Sequence, residues 1–495
     1  MSPAEFHNLN PAIPGFHPDP TMCAGPDAVY LANSSFELFP GGPVFRSKDL
    51  AGWEQIGNVL HRTDQLDLGT FNAPSSGIYG STLRFRAGRF WFVTTNIAQA
   101  GEGQLIFTAD DPAGPWSDPV VVRGATGIDP DLSWDDDGTC RLTWCWSGGG
   151  IAQVTVDPVT GEVLSERRHL WSGTGMKAPE GPHLFHVGDW WYLLIAEGGT
   201  ERGHCVSVAR SRRPDGGFEP HPGNPILTHR STGHPVQSVG HADLVEWNGR
   251  WWACYHGTRP QGYTPEFHVL GRETMVCPVE WVDGWPVFRE DLAVGTPADT
   301  SLSDDFSGPL GPRWVSPNGT MAGVESGDGA LLLTAGDSTA RPVGIRVQDL
   351  AWTSEATLDV THGAGRLVVH LDDDHTVAVE ADEHRVVATG RSHPFVAEFG
   401  RATVADPSAV CLRISVVPPT PPTPGHLNGP DEILLQVVDA SGVTTLAGVD
   451  GRHLSTEVAA GFTGRTVGVQ AVVGTVRVTG FTYRPTPDVS AGSPN

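Results

Sequence analysis

Lysine is almost missing from this chain: of its 32 basic side chains only two are lysines, Lys48 and Lys177. Schiff-base chemistry and lysine-dependent phosphate loops therefore have almost nowhere to sit. Positive charge as a whole is scarce, with 32 Lys and Arg against 57 Asp and Glu, a net charge of −25. Spread along the chain, that charge repels phosphate backbones and anionic lipid, which argues against nucleic-acid and membrane partners and favours neutral substrates. The seven cysteines, Cys23, Cys140, Cys145, Cys205, Cys254, Cys277 and Cys411, form no CxxC pair. They read as reduced, mostly buried small hydrophobes and not as a zinc or redox site. No apolar run approaches the ~18 residues of a membrane span. The opening MSPAEFHNLNPAIPGF lacks the basic and apolar regions of a secretory signal, so a cytoplasmic protein is expected. Long helical periodicity is also missing.

What is abundant points to an all-β chain of two or three domains. The sequence holds 495 residues with 61 Gly, 41 Pro and 16 Trp, and its Val-, Thr- and aromatic-rich runs are short and bounded by turns. Five aromatic strands each follow a tight polar or Gly-rich turn: DAVYLANS (27–34), GRFWFVTTN (88–96), GTCRLTWCW (138–146), GDWWYLLIAE (188–197) and GRWWACYHG (249–257). Their spacing suits one four-stranded sheet per repeat, and five such sheets packed radially make a five-bladed β-propeller. Counting back 11 residues from Tyr30, Trp91, Trp191 and Trp252, and 13 from Leu142 after its longer turn, reaches Asp19, Gly80, Glu180, His241 and Asp129. Each opens the innermost strand of a blade, so all five should face one funnel, and three are acids.

Carboxylates that share a funnel repel one another, so their retention points to catalysis or a bound cation. Asp19 and Glu180 belong to non-adjacent blades of the ring. A carboxyl pair roughly 6.5 to 9.5 Å apart leaves room for water beside a sugar and gives an inverting glycosidase. Asp19 would be the base and Glu180 the acid, with Asp129 in the neighbouring blade raising the Glu180 pKa by like-charge repulsion. Lys177 would oppose that shift if it pointed inward and is expected at the rim or in solvent.

The stretches NPAIPGFHPDPT (10–21), SSFELFPGGPVFRSKDLAGWE (34–54), GIDPDLSWDDDG (127–138), PEGPHLF (179–185), YLLIAEGGTERGH (192–204), NPILTHRSTGHPVQSVGHADLVE (224–246) and LGRETMVCPVEW (270–281) run in one order through the N-terminal half. They resemble glycoside hydrolase family 43, in its two-domain β-xylosidase and α-L-arabinofuranosidase branch. The resemblance implies a five-bladed propeller, inversion, and Asp19, Asp129 and Glu180 as base, modulator and acid. It also implies that Arg272 binds the terminal sugar, that Phe36 shapes the pocket unless it is an ordinary core ring, and that pentose-containing oligosaccharides are the substrates. His241 matches a position near the axis that in some members ligates Ca²⁺; a hydrogen-bonded channel histidine is the other reading, and no cofactor is required. Tyr79, Gly80 and Ser81 in GIYGS (77–81) replace the GIWAP of many β-xylosidases, which alters the pocket wall and moves the expected substrate toward arabinofuranosides. A non-catalytic carbohydrate-binding propeller and a sialidase-like propeller are the competing classes.

Domain boundaries follow from a change of rhythm. LAVGTPADTSLSDDF (292–306) reads as a linker between a catalytic propeller over 1–295 and an antiparallel β-sandwich over 303–485. GALLLTA, EATLDVT, GRLVVHL, TVAVEA, AVCLRISVV, EILLQVVDA, TVGVQAVV and TVRVTGFTYRP alternate as its strands. This part resembles the concanavalin-like domain of the same branch, in which one loop narrows the active-site mouth and imposes action on chain ends. PPTPPTPGHLNGP (418–430) reads as an extended surface loop, TPDVSAGSPN as a disordered tail, and homo-oligomerisation is left open.

Overall fold

The computed structural model describes residues 11–67, 69, 71, 73–292, 299–318, 321–336, 341–419 and 428–486. Residues 293–298 of the expected linker, most of the Pro-rich loop and nearly all of the tail lie outside them. Five four-stranded antiparallel sheets follow one another, each ordered as in sequence. Their innermost strands are β1 (Thr21–Ala24), β5 (Ile78–Arg86), β9 (Gly127–Trp134), β13 (Glu180–Val187) and β17 (Gln237–Trp247). The five aromatic segments form the second strands, β2 (Val29–Ala32), β6 (Arg89–Asn96), β10 (Cys140–Trp146), β14 (Trp190–Glu197) and β18 (Arg250–Thr258). This is the five-bladed propeller. Apolar side chains such as Trp91, Val93, Leu132, Leu142 and Val154 fill the spaces between blades.

An ionic circuit joins all five inner strands. Arg84 on β5 donates to Asp131 on β9 (2.7 Å) and to Asp243 on β17 (2.8 Å). Asp131 accepts the Leu184 N–H of β13 (3.1 Å), and Asp243 accepts the Thr21 hydroxyl (2.6 Å) and the Met22 N–H (3.1 Å) of β1. The Thr21 Oγ1 in turn accepts the Leu83 N–H of β5 (3.0 Å), and His183 lies 3.2 Å from the Arg84 guanidinium. Both carboxylates are wholly buried. Charge-assisted, doubly used donors are the strong kind of hydrogen bond, so one arginine adds a shared ionic tie to blades that also meet through apolar packing.

The chain divides into two compact units, Met1–Arg259 with Arg272–Ala298, and Pro260–Gly271 with Asp299–Asn495. The segment Pro260–Gly271, inside the expected 1–295, groups with the second unit for a physical reason. Val269 and Leu270 belong to that unit's hydrophobic core, the Val269 carbonyl accepts the Arg465 N–H (3.1 Å), and His268 pairs with Glu457 (2.6 Å).

The second unit is a curled antiparallel sheet. Strands β25 (Trp352–Asp359) and β30 (Val410–Val417) alternate strictly between buried and half-buried residues, the period of a one-sided strand. TVGVQAVV and TVRVTGFTYRP, expected as two strands, are one 20-residue strand, β33 (Thr466–Pro485). It pairs first with β24 (Val343–Arg346) and β26 (Gly363–Asp372), then with β23 (Ala330–Thr334) and β25. The two faces of the expected sandwich are therefore one sheet, continuous through β33. All seven cysteines are free thiols, five of them buried. No helix among the described residues is long and apolar enough to cross a membrane.

Candidate active site

The funnel residues sit where the inner strands depart from regular pairing. Register slips between Ile78 and Ser81, Ile128 and Asp131, Glu180 and His183, and Gly240 and Asp243 mark a bulge in each of blades 2 to 5. Bulges re-aim a side chain and often adjoin active sites. Asp19, Asp129 and His241 adopt left-handed backbone, with φ of 49°, 56° and 53°, a conformation rare outside glycine. In blade 4 the left-handed residue is Gly181 (φ 55°), so Glu180 stands one residue before the common phase that the spacing of the aromatic strands suggested. The equal count is thus inexact, although it reached the acid.

Asp19 is placed by its surroundings. The Asn33 amide donates to the carbonyls of His17 (3.0 Å) and Pro18 (2.9 Å), and the His17 N–H donates to the Arg272 carbonyl (3.0 Å). The left-handed turn at Asp19 then drives its carboxylate into the axis, where Oδ1 accepts from Arg272 Nη1 and Oδ2 from Ser34 Oγ, both at 2.5 Å. Burial raises the Asp19 carboxyl, but Arg272, His241 and His256 together outweigh it and hold the group well below the usual carboxylate range. Arg272 also lies over the Phe36 ring (5.4 Å), and Phe36 meets Tyr79 (4.7 Å), whose hydroxyl donates to the Ser75 carbonyl (3.0 Å). Phe36 and Tyr79 are carried by adjoining backbone, because Phe36 and Ile78 exchange hydrogen bonds.

On the other side, Asp129 Oδ2 accepts the Gly181 N–H (3.1 Å) and lies 3.5 Å from His241 Nε2. Asp129 is thereby tied to the residue next to Glu180. Gly80 completes the ring as a required gap: a Cβ there would stand 2.5 Å from Asp129 Oδ1 and 3.0 Å from His241 Nε2. Glu180 is only partly buried by accessible surface, and among the described residues its carboxyl has no hydrogen-bond partner. Its pKa is pushed up to about 8, first by loss of hydration and then by the Asp129 charge. Desolvation therefore exceeds the expected Asp129 effect. His241 is raised to about 9, its burial outweighed by Asp19, Asp129 and Glu180. The Asp19 and Asp129 carboxyls thus face Arg272 and His241 across the funnel, with Glu180 beside Asp129. Lys177 points away, exposed and paired with Glu201.

The structure thus brings Asp19, Asp129, Glu180, Phe36, Tyr79, His241 and Arg272 into one linked cluster. Calcium takes about six to eight oxygen ligands, whereas among the described residues no group of three or more His, Cys, Asp or Glu is arranged to hold a metal ion. No step below runs through a metal ion. Sequence reasoning missed Ser34, His256 and His204. Ser34 and His204 lie within stretches noted for other reasons, and His256 ends an aromatic strand whose histidine gave no signal of its own.

Comparison with known proteins follows the same lines. The model of glycosyl hydrolases family 43 matches residues 8–286. A non-reducing end alpha-L-arabinofuranosidase, BoGH43B of Bacteroides ovatus, is 34% identical over 93% of this chain and 90% of its own length. A xylosidase/arabinosidase of Butyrivibrio fibrisolvens is 43% identical over 56% of each chain. Among solved structures, Bacteroides ovatus Xyloglucan PUL GH43B superposes with a TM-score of 0.86 at 32% identity, covering 96% of this chain and 99% of that one. Xylan beta-1,4-xylosidase from Bacillus halodurans C-125 gives 0.86 at 27%, covering 97% and 100%. With acids, arginine and aromatic wall gathered on one propeller axis, and with the family's model matched over more than half its length, this chain belongs to glycosyl hydrolase family 43 and is a glycoside hydrolase.

Proposed function

We propose that the protein is an inverting exo-glycosidase that releases terminal α-L-arabinofuranosyl residues, β-D-xylosyl residues or both from xylan-derived oligosaccharides. The carrying observation is the contrasting surroundings of two acids in non-adjacent blades: the Asp19 carboxylate accepts from Arg272 and Ser34, whereas the Glu180 carboxyl has no hydrogen-bond partner among the described residues and stands beside Asp129, whose carboxylate takes the Gly181 N–H; the first is held low and the second pushed up. Glu180 donates that proton to the glycosidic oxygen as the sugar ring flattens toward an oxocarbenium-like state. Asp19 draws a proton from water attacking the opposite face. Asp129 orients the acid through the Gly181 N–H and supports its raised pKa, while Arg272 and Phe36 form the sugar-binding wall. Arabinofuranosides are placed first because a relative 34% identical over 93% of this chain is named for them, against 27% for the xylosidase structure of similar coverage, and because Tyr79, Gly80 and Ser81 reshape the wall.

A paired assay on aryl α-L-arabinofuranoside and aryl β-D-xyloside, with the anomer of the first-formed sugar read by NMR, tests the reading. Retention of configuration overturns the mechanism. Glu180→Gln is expected to lose most activity on poor leaving groups and much less on activated aryl glycosides, whereas Asp19→Asn is inactive on both.

A further inference from the structure

We propose that His256 is a positioning residue for the base, acting through the Asp19 backbone and steadied by the ring of His204. The inference rests on the reading of Asp19 as general base and deepens it. His256 Nδ1 accepts the Asp19 N–H at 3.1 Å, across 237 residues of sequence. That N–H belongs to a residue held at φ 49°, a conformation that persists only where surrounding contacts over-determine it. Its carboxylate direction, and so the approach of the attacking water, follows from that backbone angle.

The histidine is equipped to accept and not to donate. It is wholly buried, and burial together with the Arg272 charge pushes its pKa down to about 4. At neutral pH it is an uncharged imidazole whose Nδ1 lone pair meets the N–H and whose proton resides on Nε2. Asp19 Oδ1 lies 3.2 Å from the same nitrogen, a contact made tolerable by Arg272 on that oxygen.

A second histidine fixes the ring plane. His204 stacks on His256 with centroids 5.0 Å apart and planes 11° from parallel, and it is 1% exposed. Neither of its nitrogens has a hydrogen-bond partner. A buried imidazole without hydrogen bonds is costly to keep, so its retention needs another purpose, and stacking supplies one. Room for it comes from Gly240, which pairs with His256 in register and whose absent Cβ would lie 2.0 Å from His204 Cδ2. Asp19, His256, His204 and Gly240 thus form one supported column behind the base.

The test separates the acceptor from the packing. His256→Leu keeps volume and removes the acceptor; His256→Asn keeps an acceptor near the Nδ1 position and gives up volume and stacking. With the full-length enzyme and an aryl arabinofuranoside or xyloside, His256→Leu should lower kcat about 100-fold, the scale of a misplaced reacting group, with KM within about threefold. His256→Asn should recover most of that loss. A wild-type kcat in His256→Leu, or an Asn variant as slow as the Leu variant, overturns the proposal. Should the Leu variant not fold, His256→Gln replaces it, since its amide leaves the Nδ1 position empty and must behave as Leu. Asp19→Asn is assayed beside them: activity in that variant overturns the base assignment itself, whatever His256 does.

Discussion

Removing Arg84 should unfasten the propeller by an amount that depends on pH. In Arg84→Met the side-chain volume is largely kept, but Asp131 and Asp243 lose the guanidinium that lies 2.7 and 2.8 Å away. Both carboxylates are fully buried, so neither recovers the lost interaction from water. Breaking a buried ion pair from one side typically costs about 3–5 kcal/mol. Here the remaining Thr21, Met22 and Leu184 donors soften the loss, which places it at about 4 kcal/mol. For a domain of this size that is roughly a 10 °C fall in melting temperature. Fourteen of the sixteen tryptophans precede residue 290, so tryptophan fluorescence follows the propeller and avoids averaging over two units.

The pH dependence gives the prediction its sign. Burial raises the Asp243 carboxyl, but Arg84, His183 and hydrogen bonds bring it below its usual value. Asp243 therefore contributes stability above the unfolded carboxylate pKa, and that contribution fades as pH falls through its lower folded value. Without Arg84 burial is left largely unopposed and the folded pKa rises, so the ionised acid works against folding until pH falls through the new value. The gap between wild type and Arg84→Met should be full at pH 7 to 8 and narrow toward pH 4. A shift under about 3 °C, or a gap that does not change with pH, would refute the account of the hub.

Catalysis should also titrate in a defined direction. With Glu180 as acid at about 8, kcat/KM should decline as pH rises through that value, while the Asp19 limb lies below the ordinary carboxylate range. A profile already falling by pH 6 on the basic side would contradict these assignments. Gly80→Ala places a methyl 2.5 Å from Asp129 Oδ1; it should reduce kcat at least 100-fold while circular dichroism and melting stay near wild type, and near-normal turnover would show that the funnel has more room than the structure gives it.

The blades were legible because each second strand combines a tight turn with buried aromatics, as in GRFWFVTTN and GRWWACYHG. The acids were legible because they recur near one phase of that repeat. The exact phase was not: Gly181 takes the left-handed position in blade 4 and leaves Glu180 one residue before it, without any local sign in composition. Arg84, Asp131 and Asp243 looked like ordinary strand charges, since nothing in a single strand shows that its partner lies in another blade. A signal did exist in the repeated two-residue spacing of Asp19 and Thr21, Asp129 and Asp131, His241 and Asp243. In the second unit, β25 and β30 announced themselves by alternation. The exposed strand β29 (Phe395–Thr403) did not, because almost every residue faces solvent. Gly474 in AVVGTV read as a turn, yet β33 runs through it with φ 65° and changes partners there.

That two-residue spacing links stability to chemistry. Asp131 and Asp243 lie two residues beyond Asp129 and His241 in the same inner strands, where regular pairing resumes after each bulge. The first set closes the ionic circuit through Arg84; the second lies in the funnel with Asp19 and Glu180. Left-handed backbone at Asp19, Asp129 and His241 opposes folding by about 1–3 kcal/mol per residue, a load that regular sheet pairing next to a bulge cannot bear alone. The circuit lies two residues away in the same strands and is built on charge-assisted hydrogen bonds, the strong kind. The inner strands thus hold the acids in strained directions because the adjacent ring leaves them little freedom to relax, and a site of repelling carboxylates persists where an unsupported loop would splay apart.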